Sequence, residues 1–246
     1  MRPAVGARTR AAHPAAPVSA ALRLYGRRVM LRPLVASDFE AFSEVRRRNG
    51  RWLTDWEPLR PAAAADPAEN VDAFGRRCEV RERERAAGNA YSFGIFVDSL
   101  FVGEVNLNGV MRGSMQSATI GYWIDRAKAG HGYVPESVVV LTRFALEELR
   151  LHRLEICIIP RNDNSLRVVE KIGWRHEGRA ERFGDQRRVG RPRPLRLHRR
   201  RVGVAQRRAL ARLAVVAHPA PVGSALSAWK SLPAAQRAAH ETTAGE

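Results

Sequence analysis

At 246 residues and 45% hydrophobic content the chain suits one domain with tails, or two small domains, and a fibrous or wholly disordered protein is excluded. The net charge of +17 invites a polyanion partner, but residues 184–246 carry +10 of it and residues 1–20 another +3, so the middle is close to balanced and no specific nucleic-acid partner is expected. Cys78 and Cys157 lie in a chain whose first residues lack the apolar segment of a secretion signal, and no apolar run approaches the ~20 residues of a membrane span, so a reduced, cytoplasmic, non-membrane setting is expected.

Residues 1–20 have no apolar periodicity and read as a disordered extension. Order is expected from about residue 21 to 183. Val29 to Arg32 reads as a short strand ended by Pro33, and Ser37-Asp38 as the cap of a helix over Phe39 to Arg47. A loop holds Trp52 and Trp56. Pro67 to Ala87, closed by Gly88-Asn89, fits a surface helix whose many Arg and Glu form a solvated face.

Three strands follow, Tyr91 to Val97, Leu100 to Leu107 and Ser117 to Ile124, broken by Asp98-Ser99 and by the loop 108–115, as in an antiparallel meander. Pro135 to Arg150 has apolar residues at helical spacing, His152 to Ile159 is a β-branched run stopped by Pro160, and Asn164 to Ile172 is a short helix ended by Gly173.

Chemistry concentrates in YWIDRAKAGHGYVPESV, residues 122–138, where a strand runs through a glycine loop into a helix. Gly130 and Gly132 let the backbone aim its N–H groups at a ligand beside the positive end of the helix, a design for an anion such as a pyrophosphate. No Lys-Ser/Thr pair follows, as a P-loop requires, and no third glycine with a later acidic residue, as a dinucleotide fold requires. Instead come a strand, N-D-N-S opening another helix, and K-I-G-W.

That order resembles the GNAT superfamily of acetyl-CoA-dependent N-acetyltransferases. The stretch R-G-S-M-Q-S-A-T-I-G-Y-W-I at 112–124 is similar to the ribosomal-protein-alanine (RimJ/RimL) type. The resemblance spans roughly 22–183 and implies an α/β (α+β) GNAT fold, a mixed, mostly antiparallel sheet with flanking helices. It implies acetyl transfer to an amine, the N-terminal alanine of a ribosomal protein before all, with acetyl-CoA as co-substrate and no metal. Gly130, His131, Gly132, Tyr133 and Val134 should offer amides to the pyrophosphate, and Tyr122, Trp123 and Ile124 should pair with the pantetheine. Ala129 replaces an Arg or Gln common in the superfamily, and Val134 replaces a Gly or Ala, which brings a branched side chain toward the phosphates.

Asn162 and Ser165 match N-x-x-S, which implies contact with the pantetheine or thiol, and Ser165 is the candidate to protonate the departing thiolate. Both residue types also suit a helix cap. Val169 stands where many relatives have a tyrosine acid. Glu104 is a candidate base, with a plain surface carboxylate as the alternative. His131 and His152 have no metal-ligand partner at the right spacing.

After Phe183 the family continues with a segment of the form L-x-I-N-G-x-W-x-D-H-V, which supplies the last two strands. This chain reads GDQRRVGRPRPLRLHRRRVGV instead, and back-translation regrouped by one base permits E-I-N-G-V-W-D-D-H-V-L-F. Residues 184–246 are therefore expected to be a basic, poorly ordered, out-of-frame tail that costs the sheet its final hairpin. A small-molecule amine acetyltransferase, an inactive relic and a nonspecific RNA binder acting through the Arg-rich tail remain alternatives.

Overall fold

The computed structural model describes residues 22–57, 61, 64–184 and 194–203. The extension expected at 1–20, and most of the tail, lie outside the described residues. Element order is β1 (Leu24–Tyr25), β2 (Met30–Arg32), α1 (Phe39–Arg48), α2 (Gly50–Thr54), α3 (Val71–Ala86), β3 (Tyr91–Val97), β4 (Leu100–Met111), β5 (Ser117–Ile124), α4 (Tyr133–Glu147), β6 (Arg153–Ile158), α5 (Asp163–Lys171), β7 (Arg175–Gly184) and β8 (Pro194–Gly203). The strands form one mixed sheet in the order β1-β2-β3-β4-β5-β6-β8-β7, and the β5–β6 pair is parallel.

Helices cover both faces, which is why β3 is buried along its whole length. On one face Tyr91, Phe93 and Ile95 meet α4, where Phe144 stands edge-on to Tyr91 at 5.4 Å and to Phe93 at 6.1 Å. On the other, Phe42 of α1, Phe74 of α3, Phe96 and Phe101 form an aromatic cluster.

A bulge at Val102 sets which β4 residue faces which layer: Ile95 pairs with Gly103 but Phe96 with Phe101. Val102 thereby joins Val105 and Leu107 in the α4 core, while Glu104 and Asn106, on the opposite face by alternation, meet Arg77 and Arg81 of α3. Gly103 sits in this irregular stretch because a Cβ there would lie 2.3 Å from the Trp123 carbonyl oxygen. The solvated face expected for α3 is corrected by the same contacts. Arg77, Arg81 and Arg85, four residues apart, turn inward, and Arg85 is buried with Glu82 as its salt-bridge partner.

The sheet does not stop at residue 183. Residues 194–203 form β8, which pairs antiparallel with β6 from Arg153↔Gly203 to Ile158↔His198 and with β7 on its other side. The expected loss of the final hairpin is not met, for a physical reason: a ladder is made by backbone N–H and C=O groups, which do not depend on the family's own side chains at these positions.

Candidate active site

The parallel pairing of β5 and β6 runs only over Ser117 to Thr119, whereas β5 stays paired to β4 as far as Ile124. Beyond Thr119 the two strands part, leaving the β5 edge facing a cleft of about 540 Å³. That volume lies in the range of about 300–1,000 Å³ common for small-ligand sites. Its walls come from α2 and the turn after it (Trp52, Trp56, Glu57), from Gly121 to Ile124, from the loop 128–135, and from Asn162, Ser165 and Lys171 around α5.

The loop is set by a polar knot at its entry. Asp125, buried at the end of β5, accepts from Arg48 at 2.5 Å, Asn49 at 2.8 Å and the Ala127 amide at 3.2 Å. Burial alone would raise its pKa, but Arg48, Asn49 and the Ala127 amide outweigh that and hold the carboxyl below its ordinary value. Asn49 also accepts from the Arg126 amide at 2.9 Å, so the end of α1 is tied to the strand end from which the loop departs.

Gly130 and Gly132 take φ +82° and +85°, the left-handed region that glycine alone enters without strain. Gly132 is the N-cap of α4, and no side chain caps that helix, so the first-turn amides of Tyr133 and Val134, residues that line the cleft, keep donors to offer. The helix begins two residues before the expected Pro135, which sits in the first turn where its missing N–H costs nothing. Val134 packs in the main core, which accommodates its branched side chain.

Two cations absent from the sequence-based expectation converge on this loop: a Cβ at Gly132 would lie 3.3 Å from Arg28 Nη2 and 4.0 Å from Lys171 Nζ. Arg28 donates to the His131 carbonyl at 3.0 Å, pairs with Glu136 at 2.9 Å and lies 5.0 Å from the Tyr133 ring centroid. The His131 imidazole is exposed and stacks on Tyr133, so that residue offers its backbone rather than its ring. Replacing Gly132 by Val, a β-branched residue forced to positive φ, should cost about 1–2 kcal/mol of loop strain and weaken coenzyme A binding about tenfold in calorimetry.

Asn162 is the N-cap of α5: its side-chain oxygen accepts from the Ser165 amide at 3.0 Å. Ser165 is not the cap. Its hydroxyl lies 2.7 Å from the Tyr122 hydroxyl, and both residues line the cleft. Burial pushes the Tyr122 phenol up to about 12, against the Ser165 hydrogen bond, so it stays protonated throughout the neutral range. Sequence reasoning looked for a tyrosine four residues after Ser165 and found Val169, which is fully buried; the structure brings one from β5 instead. Trp123 and Ile124 also line the cleft, and Trp52 Nε1 donates to the Ile124 carbonyl at 3.3 Å.

Glu104 is not brought to this cleft, a correction to its candidacy as base, and it is not a surface carboxylate either. It is 2% exposed and accepts from Arg77 Nη2 through both oxygens at 2.7 Å and from Trp123 Nε1 at 2.9 Å. Burial alone would raise its pKa, but the charges of Arg77 and Arg81 and these hydrogen bonds outweigh it and hold the carboxyl below its ordinary value. A carboxylate so enclosed and so weakly basic is a poor proton acceptor. His152 is away from the site, its Nε2 3.4 Å from the Ser114 carbonyl. Among the described residues no group of three His, Cys, Asp or Glu is placed to hold a metal ion.

Trp52, Trp56, Glu57, Lys128, Arg167 and Lys171 were missed as site residues. Lys128 stands in the segment 122–138 and Lys171 in K-I-G-W, but neither side chain marks phosphate or thiol chemistry there by type, and only the spacing of Asn164, Arg167 and Lys171 along one helix face hinted at a shared direction.

The sequence profile described as an acetyltransferase (GNAT) domain matches residues 28–175. The chain is 34% identical over 161 residues to the probable N-acetyltransferase YjcK of Bacillus subtilis, covering 65% of this chain and 87% of the relative. To the [ribosomal protein uS5]-alanine N-acetyltransferase of Escherichia coli it is 25% identical over 164 residues, 66% of this chain and 82% of the relative. Mycobacterium smegmatis RimJ in complex with CoA-disulfide superposes with a TM-score of 0.69 at 26% identity, covering 82% of this chain and 96% of that one.

Proposed function

Since the chain belongs to the GNAT acetyltransferase family and uses acetyl-CoA as co-substrate, we propose that its acceptor is a protein N-terminal α-amine, that of an alanine-initiated ribosomal protein first. The similarity to a [ribosomal protein uS5]-alanine N-acetyltransferase supports this acceptor, and the open β5 edge, which joins the glycine loop to the Tyr122–Ser165 pair in one cleft, supports the transfer site it would reach.

Acetyl-CoA supplies the acetyl thioester. The amides of Gly130, His131, Gly132, Tyr133 and Val134 hold the pyrophosphate, with Arg28 and Lys171 beside them, and Tyr122 to Ile124 hold the pantetheine arm along the strand edge. Attack by the neutral amine forms the C–N bond and breaks the C–S bond; the proton the amine gives up ends on the sulfur, so coenzyme A leaves as a thiol. Ser165, steadied by Tyr122, donates to that sulfur as charge builds on it. An α-amine of pKa about 8 reaches its neutral form far more easily than a lysine of about 10.4, which suits a cleft in which Glu104 is no base.

The test is to incubate the full chain with acetyl-CoA and peptides that begin with Ala, Ser or Met, a blocked lysine peptide and small primary amines, and to read products by mass. Acetylation at the alanine α-amine is the expected result. Products from the small amines alone would replace it with the small-molecule reading.

The same proposal places the protein in the cytoplasm, in keeping with Cys78 and Cys157 standing outside any disulfide. No described helix is long and apolar enough to cross a membrane. Residues 184–246 are proposed to derive from a shifted frame. The nucleotide sequence near codon 184 decides this: a neighbouring frame without the W-x-D-H motif refutes it.

A further inference from the structure

Resting on the acetyltransferase reading, we infer that Glu57 receives the acceptor's primary amine in its charged form, which gives one proton to solvent before it attacks, in a subsite walled by Trp52 and Trp56. The charges around the cleft are sorted. Lys128, Arg167 and Lys171 line it from the coenzyme loop and from α5, and Glu57 is the one carboxylate among its described lining residues. An anionic coenzyme and a cationic acceptor entering one cavity need this division.

Glu57 is held ready rather than left mobile. Arg46 grips it through both nitrogens, at 2.5 and 2.8 Å, and Arg46 itself lies 5.0 Å from the Trp123 ring centroid. The Glu57 side chain is nevertheless 32% exposed and lines the cleft. An ammonium binding there meets a preorganised acceptor and does not have to order a flexible one.

The subsite spans the gap where the thioester is expected. Trp52 is tied to the Ile124 carbonyl at the end of β5. Trp56 is faced at 5.3 Å by Arg161, the neighbour of the Asn162 that caps the Ser165 helix. The acceptor side therefore bridges the two strands whose parting opens the β5 edge. Two indoles and one carboxylate lining the same cleft take an apolar first residue with a bare ammonium, and a blocked or uncharged terminus gives up the ion pair.

The test uses the full chain loaded with coenzyme A, titrated with an Ala-initiated peptide and with its analogue carrying hydroxyl in place of the α-amine. Wild type should bind the amine peptide about tenfold or more tightly than the hydroxyl analogue, and Glu57→Gln should remove that preference while coenzyme A affinity changes less than about twofold. In turnover the same variant should raise the peptide KM by about the same factor.

A Glu57→Gln protein that keeps the preference and the KM overturns the assignment and leaves the acetyltransferase reading intact. If Glu57→Gln fails to take up coenzyme A, wild type alone decides, because equal binding of amine and hydroxyl peptides overturns the assignment. A wild type that binds coenzyme A yet acetylates no amine sinks both.

Discussion

Ser165→Ala should lower kcat by about 10²-fold, the lower end of what a positioned proton donor contributes, while calorimetry shows coenzyme A binding nearly unchanged. Tyr122→Phe should cost less, about tenfold, because the phenol acts through the serine, its hydroxyl lying 2.7 Å from Ser165 Oγ. The double variant should be little worse than Ser165→Ala alone, since two groups that act as one unit are not additive. Equal and additive losses, or a loss that falls only on coenzyme affinity, would remove the hydroxyl pair from the chemistry. No alkaline limb of the rate profile should come from Tyr122 until pH nears about 12, where its raised pKa lies.

Glu104→Ala should destabilise the domain by about 3 kcal/mol, the low end for breaking a buried ion pair, because the partner Arg77 is 17% exposed and water relieves part of its stranded charge. At about 2–4 °C per kcal/mol for a domain of this size, the melting temperature should fall by roughly 10 °C. Glu104→Gln should cost less, as the amide oxygen still accepts from Arg77.

The pH dependence has a definite sign. The folded-state pKa of Glu104 is depressed, so its contribution is fully present above the unfolded carboxylate value of about 4.3 and is lost as pH falls through the folded value. Glu104→Gln should therefore flatten the acid limb of the stability curve. An unchanged acid limb in thermal unfolding between neutral and acidic pH would show that the ion pair contributes nothing net. Because Trp123 Nε1 donates to the same carboxylate and Trp123 lines the cleft, the substitution should also loosen the wall that Arg46 packs against.

Periodicity and punctuation sufficed for the meander, the four longer helices and the glycine loop, because these depend on local patterns: alternation, capping residues and positive φ at Gly130 and Gly132. The family was legible for the same reason, its motifs lying in one continuous run from 112 to 174. The short α2 was read as a loop, having a single buried residue, Leu53, to advertise it. Its Trp52 and the following Glu57 became site residues only once the chain had folded across the β5–β6 gap.

Three outcomes belonged to the tertiary structure alone. Strand alternation left open which layer Glu104 would meet, and the packing of Val105 and Leu107 under α4 put it on the α3 face, buried among arginines. The family resemblance pointed to a tyrosine at 169, where this chain has Val169, whereas a tyrosine from β5, 43 residues before Ser165, meets that hydroxyl through space. The tail's unfamiliar composition argued against a last strand, yet β8 forms between β6 and β7 because pairing is done by the backbone. What the sequence determined by itself was every feature carried by neighbours along the chain; which distant side chains share a cavity was decided by how the sheet twists, bulges and parts.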